Sequence, residues 1–248
     1  MIDIHAHILP KLDDGARDLS SALRMAELAV RSGVTAMVAT PHSNMPLRFR
    51  NYWGDSLRRS IEEFRECLQE EGIPLEIYPG MEIFGTEETA RLLRDGKLMT
   101  IAGSRYPLVE FPFVDYEHSA TEILEEICAC GYRPVVAHPE RYEYVQENPE
   151  WINVWVELGC LLQIIKGSLL GYFGDRPEAL AHSLVDRGFA CVVASDAHSH
   201  TRRTPWMTDI WELLSEEYSA DTAQLLLQKN PERLVNDKTI DGMKPEWF

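Results

Sequence analysis

Basic side chains are scarce in this chain. Its 248 residues carry 24 Lys and Arg against 40 Asp and Glu, a formal net charge of −16. Nucleic-acid binding draws much of its affinity from cation–phosphate contacts, so this balance excludes a DNA- or RNA-coating role but not a small local anion site. Cysteine is also sparse. The five residues, Cys67, Cys128, Cys130, Cys160 and Cys191, are odd in number and scattered, so no disulfide framework is expected. Cys128 and Cys130 stand too close for a usual zinc knuckle, and no second pair follows; both read as helix residues. No apolar run approaches the roughly 18–20 residues of a membrane span. The opening Met1-Ile2-Asp3-Ile4-His5 lacks the basic start and apolar stretch of a signal peptide. A cytoplasmic protein is expected, one that meets a membrane only through a partner.

Three catalytic signatures are missing too. A cysteine phosphatase needs Cys-x5-Arg, but six positions beyond Cys67, Cys128 and Cys160 stand Ile73, Pro134 and Lys166. No Asp-x-Asp follows a strand, which speaks against a phosphoaspartate route. No Gly-x4-Gly-Lys-Ser/Thr loop is present, which speaks against an NTPase.

What is present is repetitive. Hydrophobic residues make up 45% and charged residues 26%, an ordinary globular balance, and the length suits one barrel-sized domain over 1–248. Strands are predicted over 2–4, 36–40, 75–78, 108–110, 134–137, 161–164 and 191–194. Several are apolar on successive residues, as parallel strands covered on both faces are. Helices are predicted over 19–32, 55–71, 119–129, 177–187, 209–217 and 222–228, the first four ending at or near a glycine. Strand, helix and glycine in repetition argue for a parallel α/β fold. Residues 43–53, rich in Arg and aromatics, read as a long loop and potential lid.

The ionisable residues fall at the strand ends. The first strand leads into His5 and His7, the second into His42, the third into Glu82, the fourth into Glu110, the fifth into His138, and the seventh into Asp196 and His198. Parallel α/β barrels assemble their sites at the C-terminal ends of their strands, so these distant residues are expected to converge. A single His or Asp of this kind is ordinarily a satisfied polar group. With Asp14 there are nine, five imidazoles and four carboxylates, a donor set for Zn, Mn, Fe or Ni. His-x-His on an extended segment puts both rings on one side. Nine donors exceed the needs of one ion, so a cluster of two or three is expected, with a carboxylate such as Glu110 bridging.

The segments Ile4-His5-Ala6-His7-Ile8-Leu9-Pro10, Asp13-Asp14-Gly15, Thr40-Pro41-His42, Gly80-Met81-Glu82, Val109-Glu110-Phe111-Pro112, His138-Pro139-Glu140-Arg141, Gly167-Ser168 and Ser195-Asp196-Ala197-His198 follow in order along nearly the whole chain. In these segments the chain resembles the polymerase-and-histidinol-phosphatase (PHP) superfamily. Within it, the chain is similar to bacterial metal-dependent protein-tyrosine phosphatases of capsular and exopolysaccharide synthesis. The resemblance implies a distorted seven-stranded parallel (β/α) barrel, TIM-barrel-like, with a manganese-preferring trinuclear centre; Fe, Zn, Co or Mg are other ions to consider. It implies one ion on His5, His7, Glu110 and Asp196, a second on Glu110, His42 and His138, and a third on Asp14, Glu82 and His198. Arg141 and Arg203 match the phosphate-binding arginines, Ser168 is a further substrate contact, and Lys166 is left without a role. The implied substrate is a phosphotyrosine-bearing protein, a bacterial tyrosine autokinase. The alternatives are a small-molecule phosphatase, such as one for histidinol phosphate, and a non-catalytic kinase-binding regulator. Arg48 and Arg50 read either as surface charge or as guides for an acidic phosphopeptide. Phe49, Tyr52 and Trp53 read as ring-flanking residues or as loop anchors.

Overall fold

A computed structural model describes residues 1–114, 117–240 and 245–248. The described strands are β1 (Ile2–Ala6), β2 (Ala36–Ala39), β3 (His42–Ser43), β4 (Glu76–Pro79), β5 (Glu82–Phe84), β6 (Leu108–Glu110), β7 (Val135–Ala137), β8 (Leu161–Ile165) and β9 (Ala190–Ala194). All pairings are parallel, in two runs ordered β1-β2-β4 and β3-β5-β6-β7-β8-β9. The two runs belong to one barrel. β2 and β3 are a single stave interrupted at Thr40-Pro41, where proline offers no N–H to a ladder. β4 and β5 are a second stave, interrupted at residues 80–81. Counted as staves, the segments give the expected seven. The ring closes between the ends of β9 and β1, where Asp196 N–H donates to His5 O (2.9 Å) and His7 N–H donates to Ala197 O (2.8 Å).

Successive strand residues serve different apolar layers. Met37, Val109, Val136, Leu162 and Val193 pack with Met25, Ala26, Leu124, Trp155 and Leu184 of the helices. Their neighbours Val38, Leu108, Val135, Leu161 and Val192 pack with Ile4, Leu234 and Val235. Both faces of the strands are thus covered, which accounts for their unbroken apolar runs.

The helix Leu19–Arg31 starts where the Asp18 carboxylate accepts from Ser21 N–H (2.7 Å), satisfying a donor that the helix leaves free. The helix predicted over 222–228 is part of a longer helical run: Ala220–Gln224, a π segment Leu225–Lys229, and Asn230–Val235. The short helices Thr89–Arg94, Glu143–Glu147, Glu150–Glu157 and Lys166–Leu169 were not predicted; they are too brief to show a 3.6-residue period. Among the described residues, no helix is long and apolar enough to cross a membrane.

Candidate metal and phosphate site

The strand order brings together all nine predicted donors. His42 and Glu82 lie opposite each other in the β3–β5 pair, which sets His42 Nδ1 3.0 Å from Glu82 Oε2. The same Glu82 oxygen is 3.2 Å from His5 Nε2 and 3.1 Å from His7 Nε2, while its other oxygen is 2.8 Å from His138 Nε2. Asp196 Oδ1 lies 3.4 Å from His5 Nε2 and 3.5 Å from His7 Nε2. Glu110 Oε1 is 2.9 Å from His42 Nδ1. Asp14 Oδ1 is 3.5 Å from both His42 Nε2 and His198 Nε2.

Three donor groups result: His5, His7, Glu82 and Asp196; His7, Asp14, His42 and His198; and His42, Glu82 and Glu110. This division differs from the one the resemblance implies. Glu82, rather than Glu110, sits with His5, His7 and Asp196, because the His42–Glu82 register carries the Glu82 side chain to the middle of the cluster. His138 reaches the cluster through Glu82.

The donor atoms fit divalent cations. His5 Nε2, His7 Nε2, His42 Nδ1, Glu82 Oε2, Glu110 Oε1 and Asp196 Oδ1 are buried and have no hydrogen-bond partner among the described residues. Buried polar atoms are rarely left so, and here they face one another. Imidazole nitrogen with carboxylate oxygen is a usual donor set for Mn, Fe, Zn or Co. Without ions, protons have to take up the charge. Burial pulls His42 down, but the carboxylates of Glu82 and Glu110 outweigh it and raise it to about 10. Burial likewise opposes charge on His7, and Asp13 with Asp196 and Glu82 overrides it, raising the imidazole well above its ordinary range. Burial pushes Glu82 and Asp196 up, yet His5 beside both, with His42 on Glu82 and Arg203 on Asp196, holds each carboxyl well below its usual range.

Two residues that the sequence reading passed over orient the imidazoles. Asp13 Oδ2 lies 2.7 Å from His7 Nδ1 and accepts from His42 N–H (2.9 Å). Gln163 Oε1, in the centre of β8, lies 2.8 Å from His5 Nδ1. Each fixes which ring nitrogen turns toward the cluster. An amide within the apolar run Leu161-Leu162-Gln163-Ile164-Ile165 was the available signal for Gln163. The loop carrying Asp13 and Asp14 folds tightly over His7. A Cβ at Gly15 would lie 2.2 Å from His7 O, so only glycine fits this crossing.

Beside the cluster is a cavity of about 220 Å³, lined by Met45, Arg48, Phe113, Arg141, Arg203 and every donor except His5 and His7. Arg203 is ion-paired with Asp196 Oδ2. The Arg141 guanidinium lies 4.0 Å from the centre of the Phe173 ring and 4.7 Å from that of Phe113. His138, Asp196 and Arg203 all have left-handed backbone, with φ of 36°, 49° and 46°. Such conformations cost energy and persist at sites whose surroundings enforce them.

Ser168 does not line this cavity. It is fully buried, and its hydroxyl faces the buried carboxyl of Glu140, so the structure does not bring this expected substrate contact to the cavity. Lys166 is also buried; its Nζ pairs with Asp209 (3.0 Å) and donates to Trp206 O, making it a strut. In the 43–53 segment, Asn51 donates from Nδ2 to Leu12 O (3.0 Å) and His42 O (2.8 Å), which pins the loop beside the cluster. Phe49 stacks on His42 at 5.6 Å, Arg48 reaches the cavity, and Trp53 packs against the core. Arg50 and Tyr52 instead line a separate cleft with Glu87 and Glu88.

Known proteins resemble this chain over nearly its whole length. YwqE of Bacillus subtilis (strain 168), a tyrosine-protein phosphatase, is 36% identical over 99% of this chain and 96% of its own. CapC of Staphylococcus aureus, named as a putative tyrosine-protein phosphatase, is 33% identical over 100% of this chain and 99% of its own. One solved structure comes from crystal structures of YwqE from Bacillus subtilis and CpsB from Streptococcus pneumoniae, described as unique metal-dependent tyrosine phosphatases. It matches with a TM-score of 0.93 at 35% identity, covering 100% of this chain and 99% of that chain. Residues 1–236 match the family described as capsular polysaccharide synthesis, CpsB/CapC, and the chain belongs to that family.

Proposed function

We propose that this chain, as one domain over 1–248, is a metal-dependent protein-tyrosine phosphatase. Its proposed substrate is phosphotyrosine on a bacterial tyrosine autokinase of capsular or exopolysaccharide synthesis, met in the cytoplasm. The observation that carries this reading is the set of six buried donor atoms without hydrogen bonds, facing one another beside a cavity that Arg48, Arg141 and Arg203 line. The names of the full-length relatives support the choice of phosphotyrosine over a small phosphate monoester. Manganese, in two or three copies, is the proposed ion.

The reaction breaks the bond between phosphorus and the aryl oxygen and forms one between phosphorus and a water oxygen. The aryl oxygen gains a proton. Divalent ions, when bound, supply water of lowered pKa and neutralise phosphoryl charge. His5, His7, Glu82 and Asp196, with Asp14, His42, Glu110, His138 and His198, would hold them. Arg141 and Arg203 bind phosphoryl oxygens through planar guanidinium groups that stay protonated. Asp196 ties Arg203 to the donor cluster, so the cation and the donors keep one relative position. A phenol has a pKa near 10, so the leaving oxygen makes modest demands on an acid.

The test is turnover by the purified protein, loaded with Mn²⁺, on a phosphotyrosine peptide, an aryl phosphate and histidinol phosphate. The expected result is hydrolysis of the first two, lost on chelation and restored by Mn²⁺. Preference for histidinol phosphate would move the reading to a small-molecule phosphatase.

A further inference from the structure

The two arginines are held in different ways. Arg203 has the Asp196 carboxylate as its partner. Among the described residues, no hydrogen bond or ion pair holds the Arg141 guanidinium. What lies against it is two rings: Phe173 at 4.0 Å and Phe113 at 4.7 Å. Ring faces attract a cation without using its N–H donors, so a guanidinium fixed this way keeps its fork for a ligand.

Both rings have built seats. Phe113 O accepts from Glu143 N–H (2.7 Å), which ties its loop to the segment following Arg141. Phe173 lies across the start of the helix Lys166–Leu169, in a turn where Tyr172 N–H donates to Gly167 O (2.8 Å). A Cβ on Gly167 would lie 2.6 Å from the edge of the Phe173 ring, so the absence of a side chain there is what admits the ring.

We infer that Phe173, together with Phe113, is a positioning residue that holds Arg141 over the cavity for the phosphoryl group. The inference rests on the phosphate role proposed for Arg141. It adds that two aromatic faces take the place of the carboxylate that would otherwise orient an arginine and compete with phosphate for its donors.

The experiment measures inhibition by inorganic phosphate, kcat, KM and metal content on the Mn²⁺-loaded protein. Phe173→Ala and Phe173→Leu are expected to weaken phosphate inhibition roughly three- to thirtyfold, the range of a lost cation–π contact, at unchanged metal content. Phe173→Tyr, which keeps the ring face, is expected to stay near the parent. Gly167→Ala removes no side chain and displaces the ring edge, so it is expected to act in the same direction and serves if Phe173→Ala does not fold. With Arg141→Ala already present, Phe173→Ala is expected to add nothing. The inference is overturned if Phe173→Leu matches the parent, or if Phe173→Ala weakens inhibition equally with and without Arg141. If Arg141→Ala itself leaves phosphate inhibition unchanged, the phosphate reading of Arg141 fails and the inference with it. A loss on Arg141→Ala with no effect of Phe173 rejects the inference alone.

Discussion

At the scale of single residues, the side chains around the cluster divide by what they can bind. Arg141 and Arg203 cannot readily ligate a cation, because guanidinium keeps its proton. Hydrogen bonds from charged groups are worth roughly 1.5–3 kcal/mol, so Arg141→Ala or Arg203→Ala is expected to lower kcat about ten- to a hundredfold with bound metal retained. Metal analysis beside steady-state kinetics checks this, and parental kcat at equal metal content would sink the role. Asp13 and Gln163 act on the imidazoles instead. Gln163→Leu and Asp13→Ala free the rings of His5 and His7 and are expected to weaken Mn²⁺ binding roughly ten- to a hundredfold, as titration calorimetry would show. Eight of the nine donors were legible in the sequence because each stands out at or just beyond the end of an apolar strand, and Asp14 because it follows the first of them in the loop after β1. Their orienting partners were not: Gln163 is 158 positions from His5 and carries no charge. That Glu82 rather than Glu110 sits with His5, His7 and Asp196 was also hidden, since both follow strands and only barrel register says which one reaches the centre.

At the scale of elements, the strand breaks and the loops carry the site. The staves were visible as apolar runs, but the breaks at Thr40-Pro41 and residues 80–81 were not. Each resumes with a donor, His42 or Glu82, as the first residue of the next strand segment. The 43–53 loop was legible as a loop, and its attachment depends on one amide. Asn51→Ala removes both bonds to Leu12 O and His42 O; it is expected to raise KM for a phosphotyrosine peptide more than for a small aryl phosphate. Equal change on both substrates would show that the loop acts only through the cluster. The Asp18 cap belongs to folding alone. Asp18→Ala is expected to cost about 1 kcal/mol in denaturant unfolding, with kcat unchanged in the folded protein.

At the scale of the whole molecule, an acidic chain concentrates carboxylates and imidazoles at one end of its barrel. Without ions, that charge is met by protons, as His42 at about 10 indicates. Ligating imidazoles have to be unprotonated, so metal uptake is expected to release protons, and affinity is expected to fall as pH falls. Adding Mn²⁺ to the chelated protein in weak buffer, with a pH electrode, measures the release. Ions that bind only the folded state also raise stability, by about 2.7 kcal/mol at a free concentration of 100 Kd. Turnover of phosphotyrosine is expected to depend on these ions. The most direct test counts divalent ions per chain by elemental analysis and measures phosphotyrosine-peptide turnover on the same sample through chelation and Mn²⁺ return. Two or three ions are expected, with loss of turnover as they leave and recovery as they are restored. Full turnover from a sample holding under about 0.1 ion per chain would contradict this dependence.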